Sequence, residues 1–145
     1  MVVRVSSELP IPADVAAGLI RKPELLRYVT WPVLVLPELP DGEFRVGHEM
    51  TVRLRLFGVL PLWRHTVRVV AGDGSAGEAR TEEHGGPLRA WRHRLVVTPV
   101  SARSCRYTDE VEIDAGALTP LVVLTARAFY RYRHRRWAAL ARVLA

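Results

Sequence analysis

Residues 88–114 read LRAWRHRLVVTPVSARSCRYTDEVEID and contain two runs in which apolar and polar side chains alternate. This period of two is typical of half-buried strands, and the TPVSA segment at 98–102 favours a turn that folds one run back on the other. The predicted cross-strand pairs are Trp91 with Val111, His93 with Asp109, Leu95 with Tyr107, and Val97 with Cys105. One ionisable pair, His93 with Asp109, would then lie in an otherwise apolar face, as expected for the wall of a cavity.

The preceding segments predict further strands of the same sheet. Met50, Val52, Leu54 and Leu56 alternate mostly with polar neighbours, which indicates another half-buried strand. Turn signals at 58–61, at Gly72-Asp73-Gly74-Ser75 and at 85–87 divide the chain that follows into strands over 62–71, 77–84, 88–98 and 103–114. Because these connections are too short for crossover helices, the strands are predicted to form an antiparallel meander.

The two ends of the chain complete the predicted architecture. Residues 3–9 predict a first strand, residues 13–20 and 23–28 predict two short helices, and residues 32–39 predict an edge strand interrupted by prolines. After Gly116 the apolar spacing changes to three and four residues, which predicts a long C-terminal helix. The residues that follow this helical spacing are Leu118, Leu121, Val122, Thr125, Phe129, Tyr132, Arg136, Leu140 and Val143.

The predicted fold is therefore α+β, with a curved, seven-stranded antiparallel sheet around a long C-terminal helix and two short helices after the first strand. A strongly curved sheet cannot close around one helix at full side-chain density, so a hollow is expected between the two. Hollows of this kind bind small apolar molecules.

The order of these elements, together with three segments, resembles the START-like, polyketide cyclase/dehydratase superfamily, and in particular its uncharacterised bacterial SRPBCC members. The segments are VGHEMTVRLRLFGVLPL at 46–62, WRHRLVVTP at 91–99 and YTDEVEI at 107–113. The resemblance spans essentially the whole chain and implies one START-like ligand-binding domain over residues 1–145 with the helix-grip fold. It also implies a cavity for lipids, sterols, polyketides or other apolar ligands, in which some members catalyse cyclisation or dehydration.

Composition excludes several other classes of protein. Apolar residues make up 49% of the chain and charged residues 25%, and no apolar run approaches the roughly 18 residues needed to span a membrane. The N-terminus becomes polar too early for a signal peptide, so we expect a cytoplasmic protein. The net charge of +6 is almost entirely due to arginine, and the chain contains no Asn or Gln. Since adenine readout normally uses those two residues, sequence-specific DNA binding is not expected.

Three residues are candidates for acid–base chemistry. His93 could act as a general base or acid, with Asp109 fixing its tautomer or Tyr107 assisting, in a cyclase or dehydratase of lyase type. The same pair could instead be a structural hydrogen bond, which is the interpretation that we favour, or an anchor for a ligand. Cys105 has no activating cation among its predicted neighbours, so a catalytic thiolate is not expected.

The remaining histidines have separate predictions. His65 shares a face with Trp63 and is predicted to be a second imidazole in the cavity. The spacing of these groups matches no metal signature, so neither a metal nor a cofactor is predicted. His48, in a turn, and His134, on the basic helix, are predicted to face solvent.

The favoured function is binding of a small, mostly apolar ligand, whose identity stays open, as does homodimer formation. A second alternative is an interaction module that binds RNA, the ribosome or an anionic membrane through the arginine-rich face of the helix. Arg127, Arg131 and Arg135 form a row on that face. The favoured interpretation of the face is a solvated flank. The predicted cavity-lining residues are Met50, Val52, Leu54, Trp63, His65, Val67, Trp91, His93, Leu95, Tyr107, Asp109, Val111, Leu121, Thr125 and Phe129.

Overall fold

Seven strands and three α-helices follow one another in the predicted order in a computed structural model that describes residues 1–73 and 77–145. The strands form one antiparallel sheet in the order β1-β7-β6-β5-β4-β3-β2. The predicted turn at Gly72-Asp73-Gly74-Ser75 lies partly outside the described residues. The elements are β1 (Val2–Leu9), α1 (Ala13–Ile20), α2 (Pro23–Thr30), β2 (Leu34–Val35), β3 (Glu49–Leu56), β4 (Leu60–Asp73), β5 (Glu78–Gly85), β6 (Leu88–Ser101), β7 (Ser104–Asp114) and α3 (Thr119–Leu144), which a short 3₁₀ turn at Gly116–Leu118 precedes.

The register of the β6–β7 hairpin differs from the prediction by two residues. Trp91 pairs with Ile113, His93 with Val111, Leu95 with Asp109, and Val97 with Tyr107. The predicted pairs are wrong because the strands continue to Ser101 and Ser104, so the turn is tighter and lies further along the chain than predicted, with an irregularity between Pro99 and Ser101. Since side chains alternate between faces with a period of two, a shift of two residues leaves every side chain on its predicted face.

Helix α3 covers only one end of the sheet, where it packs mainly on β1 and also contacts β7. One core cluster lies here, in which Val3, Val111 and Ile113 of the sheet contact Val123, Ala126 and Tyr130 of the helix. A second cluster joins Trp137 and Ala141 to α1, α2 and the neighbouring ends of β6 and β7.

The buried face of α3 differs from the predicted one. Leu118, Leu121 and Val143 are exposed, because the helix is rotated so that another set of side chains faces the sheet. The buried residues of α3 are Val123, Ala126, Tyr130, Arg133, His134, Trp137 and Ala141.

The other end of the sheet is formed by β2 to β5. Here α3 does not pack directly on the concave face, which remains open. The ladder between β4 and β5 shifts register twice, between Val69 and Ala71 and between Ala71 and Asp73. Irregularities of this kind bend a strand and increase its twist. The hollow predicted from the sequence lies against this part of the sheet and extends to β6 and β7. In the described parts of the chain, the helices are all too short or too polar to cross a membrane.

Candidate functional site

A cavity of about 770 Å³ lies between the concave face of the sheet and helices α2 and α3. This volume is within the range of small-molecule pockets, which is about 300–1,000 Å³. Each of the strands β3 to β7 contributes alternate side chains to the wall, as the period of two requires. The predicted residues found in the wall are Met50, Val52, Leu54, Trp63, His65, Val67, Trp91, His93, Leu95, Tyr107, Asp109, Leu121, Thr125 and Phe129.

Val111, which was predicted to line the cavity, does not lie in its wall. Its side chain is fully buried in the core cluster between β1, β7 and α3, in contact with the helix rather than at the cavity. The reason is its position beyond Asp109 on β7, where α3 lies directly on the sheet.

Further apolar residues contribute to the wall from elements in which the sequence analysis assigned no cavity residues. These are Leu25, Leu26 and Val29 on α2, Leu36 and Leu39 in the segment after β2, and Ala79 on β5. The sequence could have predicted Ala79 in the wall, because Ala79, Thr81 and Glu83 lie at alternate positions and hence on one face of β5.

Trp63 lines the cavity and packs against the turn between β5 and β6. A Cβ atom on Gly86 would lie 2.6 Å from the Trp63 ring, and the φ angle of Gly86 is +51°. A glycine is needed at this position because the indole occupies the space of a side chain and the backbone is left-handed. The turn therefore packs directly on the indole of Trp63.

Asp109 is the centre of a buried hydrogen-bond cluster. Its Oδ1 accepts from His93 Nε2 at 2.6 Å and from the Tyr107 hydroxyl at 3.2 Å. Its Oδ2 accepts from His134 Nε2 at 2.9 Å, and His134 Nδ1 in turn bonds to the Ser7 hydroxyl. The carboxylate is 1% exposed, so its charge is stabilised by these donors rather than by bulk solvent.

The protonation of this cluster follows from its geometry. Burial alone would raise the pKa of Asp109, but the charge of Arg133 and the hydrogen bonds from His134 and His93 outweigh burial and hold that pKa well below its ordinary value. An ionised carboxylate only accepts hydrogen bonds, so Nε2 of both histidines must carry the proton. Burial, together with the neighbouring charge of Asp109, raises the pKa of the Tyr107 hydroxyl, which therefore stays protonated and donates.

A second hydrogen-bonded group lies beside the first, on β4 and β5. His65 Nε2 donates to Glu83 Oε2 at 2.7 Å, and the Thr81 hydroxyl donates to Glu83 Oε1 at 2.7 Å. Trp63 Nε1 donates to His65 Nδ1 at 3.3 Å, an arrangement that requires the Nε2–H tautomer of His65. Burial opposes ionisation of Glu83, but the hydrogen bonds from His65 and Thr81 outweigh burial and lower its pKa.

These groups form a polar row across the sheet, which we define as His65, Glu83, His93 and Asp109, one from each of the adjacent strands β4 to β7. The two halves meet where His93 Nδ1 lies 3.9 Å from Glu83 Oε1. All four residues line the cavity. The row gives an otherwise apolar cavity one polar wall, at which donors and acceptors are already fixed in position.

Arg133 adds a buried cation to this wall from the side of the helix. It is 8% exposed and lines the cavity, and its guanidinium carbon lies 4.8 Å from the centre of the Tyr130 ring. Burial would lower its pKa, but the negative charge of Asp109 raises it, so the guanidinium stays charged. Sequence reasoning missed Arg133 because it assigned the arginines of this helix to solvent.

His134 is likewise buried, at 5% exposed, and the prediction that it faces solvent is wrong. The rotation of α3 brings it to Asp109, whereas Arg127, Arg131 and Arg135 are exposed. A second reading of the helix, with Tyr130, His134, Trp137 and Ala141 as the inward stripe, has the same helical spacing and would have found it.

The two remaining side chains with sequence predictions, His48 and Cys105, lie as predicted in an exposed position and in a position without an activating cation among the described residues, respectively. His48 is exposed. Cys105 is fully buried, and burial raises the pKa of its thiol, which opposes thiolate chemistry. Across residues 1–73 and 77–145, no group of three or more His, Cys, Asp or Glu side chains has an arrangement that could hold a metal ion.

Comparison with solved structures gives matches that cover essentially the whole of this chain at low sequence identity. The AHSA1 protein from Silicibacter pomeroyi is 13% identical, with a TM-score of 0.78 over 100% of both chains. A START superfamily protein from Mycobacterium smegmatis is 12% identical, with a TM-score of 0.72 over 99% of both chains. DynU16, a protein in the dynemicin biosynthetic locus, is 17% identical, with a TM-score of 0.65 over 99% of this chain and 46% of that one.

At these identities the matches show a shared fold, and they confirm the predicted START-like helix-grip fold. A protein-family model described as a domain of unknown function, DUF8410, matches residues 30–141. No curated protein matches the chain significantly.

Proposed function

Since the chain belongs to DUF8410, a family defined as a domain of unknown function, we propose from the cavity itself that the protein binds a small, mostly apolar molecule between the sheet and α3. The observation that carries this proposal is a cavity of about 770 Å³ whose walls on β3, α2 and the first half of α3 are almost wholly apolar. Interiors of proteins are normally packed without voids of this size, so keeping such a volume open is a cost that a ligand would offset.

The polar row gives the ligand an orientation. Apolar pockets obtain specificity from a few polar groups in fixed positions. Here His65, Glu83, His93 and Asp109 lie along one wall, and their hydrogen bonds to one another and to Thr81 hold them in place. A polar end of the ligand would therefore lie at the sheet, with its apolar body extending towards β3 and α2.

Filling the cavity tests the proposal. Ala79 lines the cavity, while its neighbour Arg80 on the same strand is exposed. Binding of the uncharged fluorescent probe N-phenyl-naphthylamine is expected to weaken at least about tenfold in Ala79→Phe, because the new ring takes up ligand space. The matched variant Arg80→Phe should bind the probe as the unaltered protein does. Absence of probe binding, or equal binding by both variants, would contradict the proposal.

Acid–base catalysis is a second candidate, favoured by the position of His93. Its imidazole lines the cavity, and its Nε2–H is held by an ionised carboxylate, which fixes the tautomer and leaves Nδ1 as the basic nitrogen. Tyr107 donates to the same carboxylate. A cyclisation or dehydration on an apolar substrate would use these groups.

The catalytic candidate is tested with whatever small molecule co-purifies with the protein, identified by native mass spectrometry. His93→Ala should retain binding of the neutral probe but lose conversion of that molecule, whereas His48→Ala, at an exposed position, should change neither. Unchanged conversion in His93→Ala would end this candidate and leave ligand binding intact.

A further inference from the structure

Arg133 is a buried cation whose hydrogen-bonding capacity is unused by the described part of the chain. Its Nε is fully buried without a hydrogen-bond partner, and the two terminal nitrogens also make no hydrogen bond to residues 1–73 or 77–145. The guanidinium does stack over Tyr130, 4.8 Å from the ring centre. A cation–π contact offsets part of the cost of burying the charge but satisfies none of its five N–H donors.

The nearby carboxylates do not serve as partners for Arg133. Both oxygens of Asp109 are already bonded, by His93, Tyr107 and His134. Both oxygens of Glu83 are bonded by His65 and Thr81. The two carboxylates therefore stabilise the cation through space, while its donors stay without a hydrogen-bond partner among the described residues, on a side chain that lines the cavity.

A guanidinium in this position selects for a particular ligand group. Its planar fork of donors matches the two oxygens of a carboxylate, and such paired, charge-assisted bonds are among the strongest hydrogen bonds in proteins. A doubly charged phosphate fits less well, because Asp109 and Glu83 already supply two negative charges to the same wall. The rest of the cavity is apolar and favours a hydrocarbon or aromatic body.

We propose that Arg133 anchors the carboxylate of an amphiphilic monocarboxylic acid whose apolar body fills the cavity towards β3 and α2. This inference rests on the proposed binding function and specifies the chemical class of its ligand. It assigns to the arginine-rich helix an inward role, through one buried residue, that is separate from its exposed arginine row.

The test compares decanoate with decanol and methyl decanoate, which have the same chain but no charge, by displacement of N-phenyl-naphthylamine at neutral pH. In the unaltered protein decanoate is expected to bind about 10- to 100-fold more tightly than decanol, the ratio that corresponds to a charge-assisted bond. In Arg133→Met that ratio should fall to about one, with decanol binding retained. Arg131→Met, which alters an exposed arginine on the same helix, should keep the ratio of the unaltered protein.

The ratio is measured within each variant, so a partly folded preparation does not distort it. If Arg133→Met does not fold, Arg133→Lys replaces it, since lysine keeps the charge but loses the planar fork, and an intermediate ratio is expected. Equal binding of decanoate and decanol by the unaltered protein, or an unchanged ratio in Arg133→Met or its replacement Arg133→Lys, would overturn the inference while leaving apolar binding established. Tighter binding of decyl phosphate than decanoate would overturn the carboxylate assignment. Failure of the neutral probe and of all the decyl compounds to bind would instead overturn the proposed function, and this inference with it.

Discussion

Replacing Asp109 by leucine removes the acceptor that three buried donors share while keeping a side chain of similar size. The donors are Nε2 of His93, Nε2 of His134 and the hydroxyl of Tyr107. A buried donor left without a partner costs about 1–3 kcal/mol. His93 and Tyr107 line the cavity and can regain part of this from solvent, whereas His134 is buried between the helix and the sheet. The expected loss in the free energy of unfolding for Asp109→Leu is therefore about 3–6 kcal/mol, a large part of the total stability of a typical domain.

Asp109→Asn separates the effect of the carboxylate charge from the effect of its hydrogen bonds. The amide oxygen can still accept from His93 and Tyr107, and its NH₂ group can donate to His134 once that ring moves its proton to Nδ1, where the Ser7 hydroxyl accepts it. The charge is lost but the network can be restored, so the expected loss is about 1–2 kcal/mol.

The assay is urea unfolding followed by tryptophan fluorescence, with the midpoint compared at a constant denaturant slope. Glu112→Leu is the matched control, because Glu112 lies on the same strand but faces solvent, where it pairs with Arg92; its effect should stay within about 0.5 kcal/mol. If Asp109→Leu costs no more than Asp109→Asn, or no more than the control, then the carboxylate is not the centre of a structural network and this reasoning is refuted.

Three further predictions concern the pH dependence of stability and substitutions at two glycines. The folded-state pKa values of Asp109 and Glu83 lie below their ordinary values of 3.8 and 4.5. The stability that these two carboxylates contribute is therefore fully present above the ordinary values and is lost as the pH falls towards the lower folded-state pKa values. Urea midpoints should drop steeply below about pH 4 and less so in Asp109→Asn; an equal drop in that variant would contradict the assignment. Gly86→Ala should destabilise the protein by about 1–2 kcal/mol from its left-handed backbone alone, with an added shift in fluorescence as the Trp63 ring is displaced. Gly18→Ala on α1, where a Cβ meets nothing within 4 Å, should instead stabilise by about 0.5–1 kcal/mol; thermal unfolding of the two variants should give shifts of opposite sign.

The faces of the strands were predictable although the register of the hairpin was not. His93 and Asp109 were expected directly opposite each other, and they lie diagonally, yet their hydrogen bond forms because a slip of two residues keeps both on the cavity face. The same alternation on β5 would have predicted Glu83 in the cavity. Partners on one sheet face are thus within reach of a sequence argument even where the exact pairing is wrong.

The helix allowed no such tolerance. α3 carries apolar side chains around most of its circumference, including the exposed Leu121 and Leu124 and the buried Trp137, so more than one stripe satisfies the helical spacing. A rotation of the helix by one residue exchanges the buried and exposed sets, which is why His134 was assigned to solvent and Arg133 was missed. The residues that α3 contributes to the polar wall could therefore not be predicted before the packing of α3 on β1 and β7 was known.

The order of elements, the alternation that lines the cavity and the polar residues on the strands could be predicted from the sequence, because they depend on local periodicity and turn chemistry. The stripe of α3 that meets the sheet became known from the folded structure, and with it the position of His134 in the Asp109 cluster and of Arg133 at the cavity. The physical reason is that a strand has two faces with a strict period, whereas a helix with apolar residues on several sides has its orientation chosen by the best total packing.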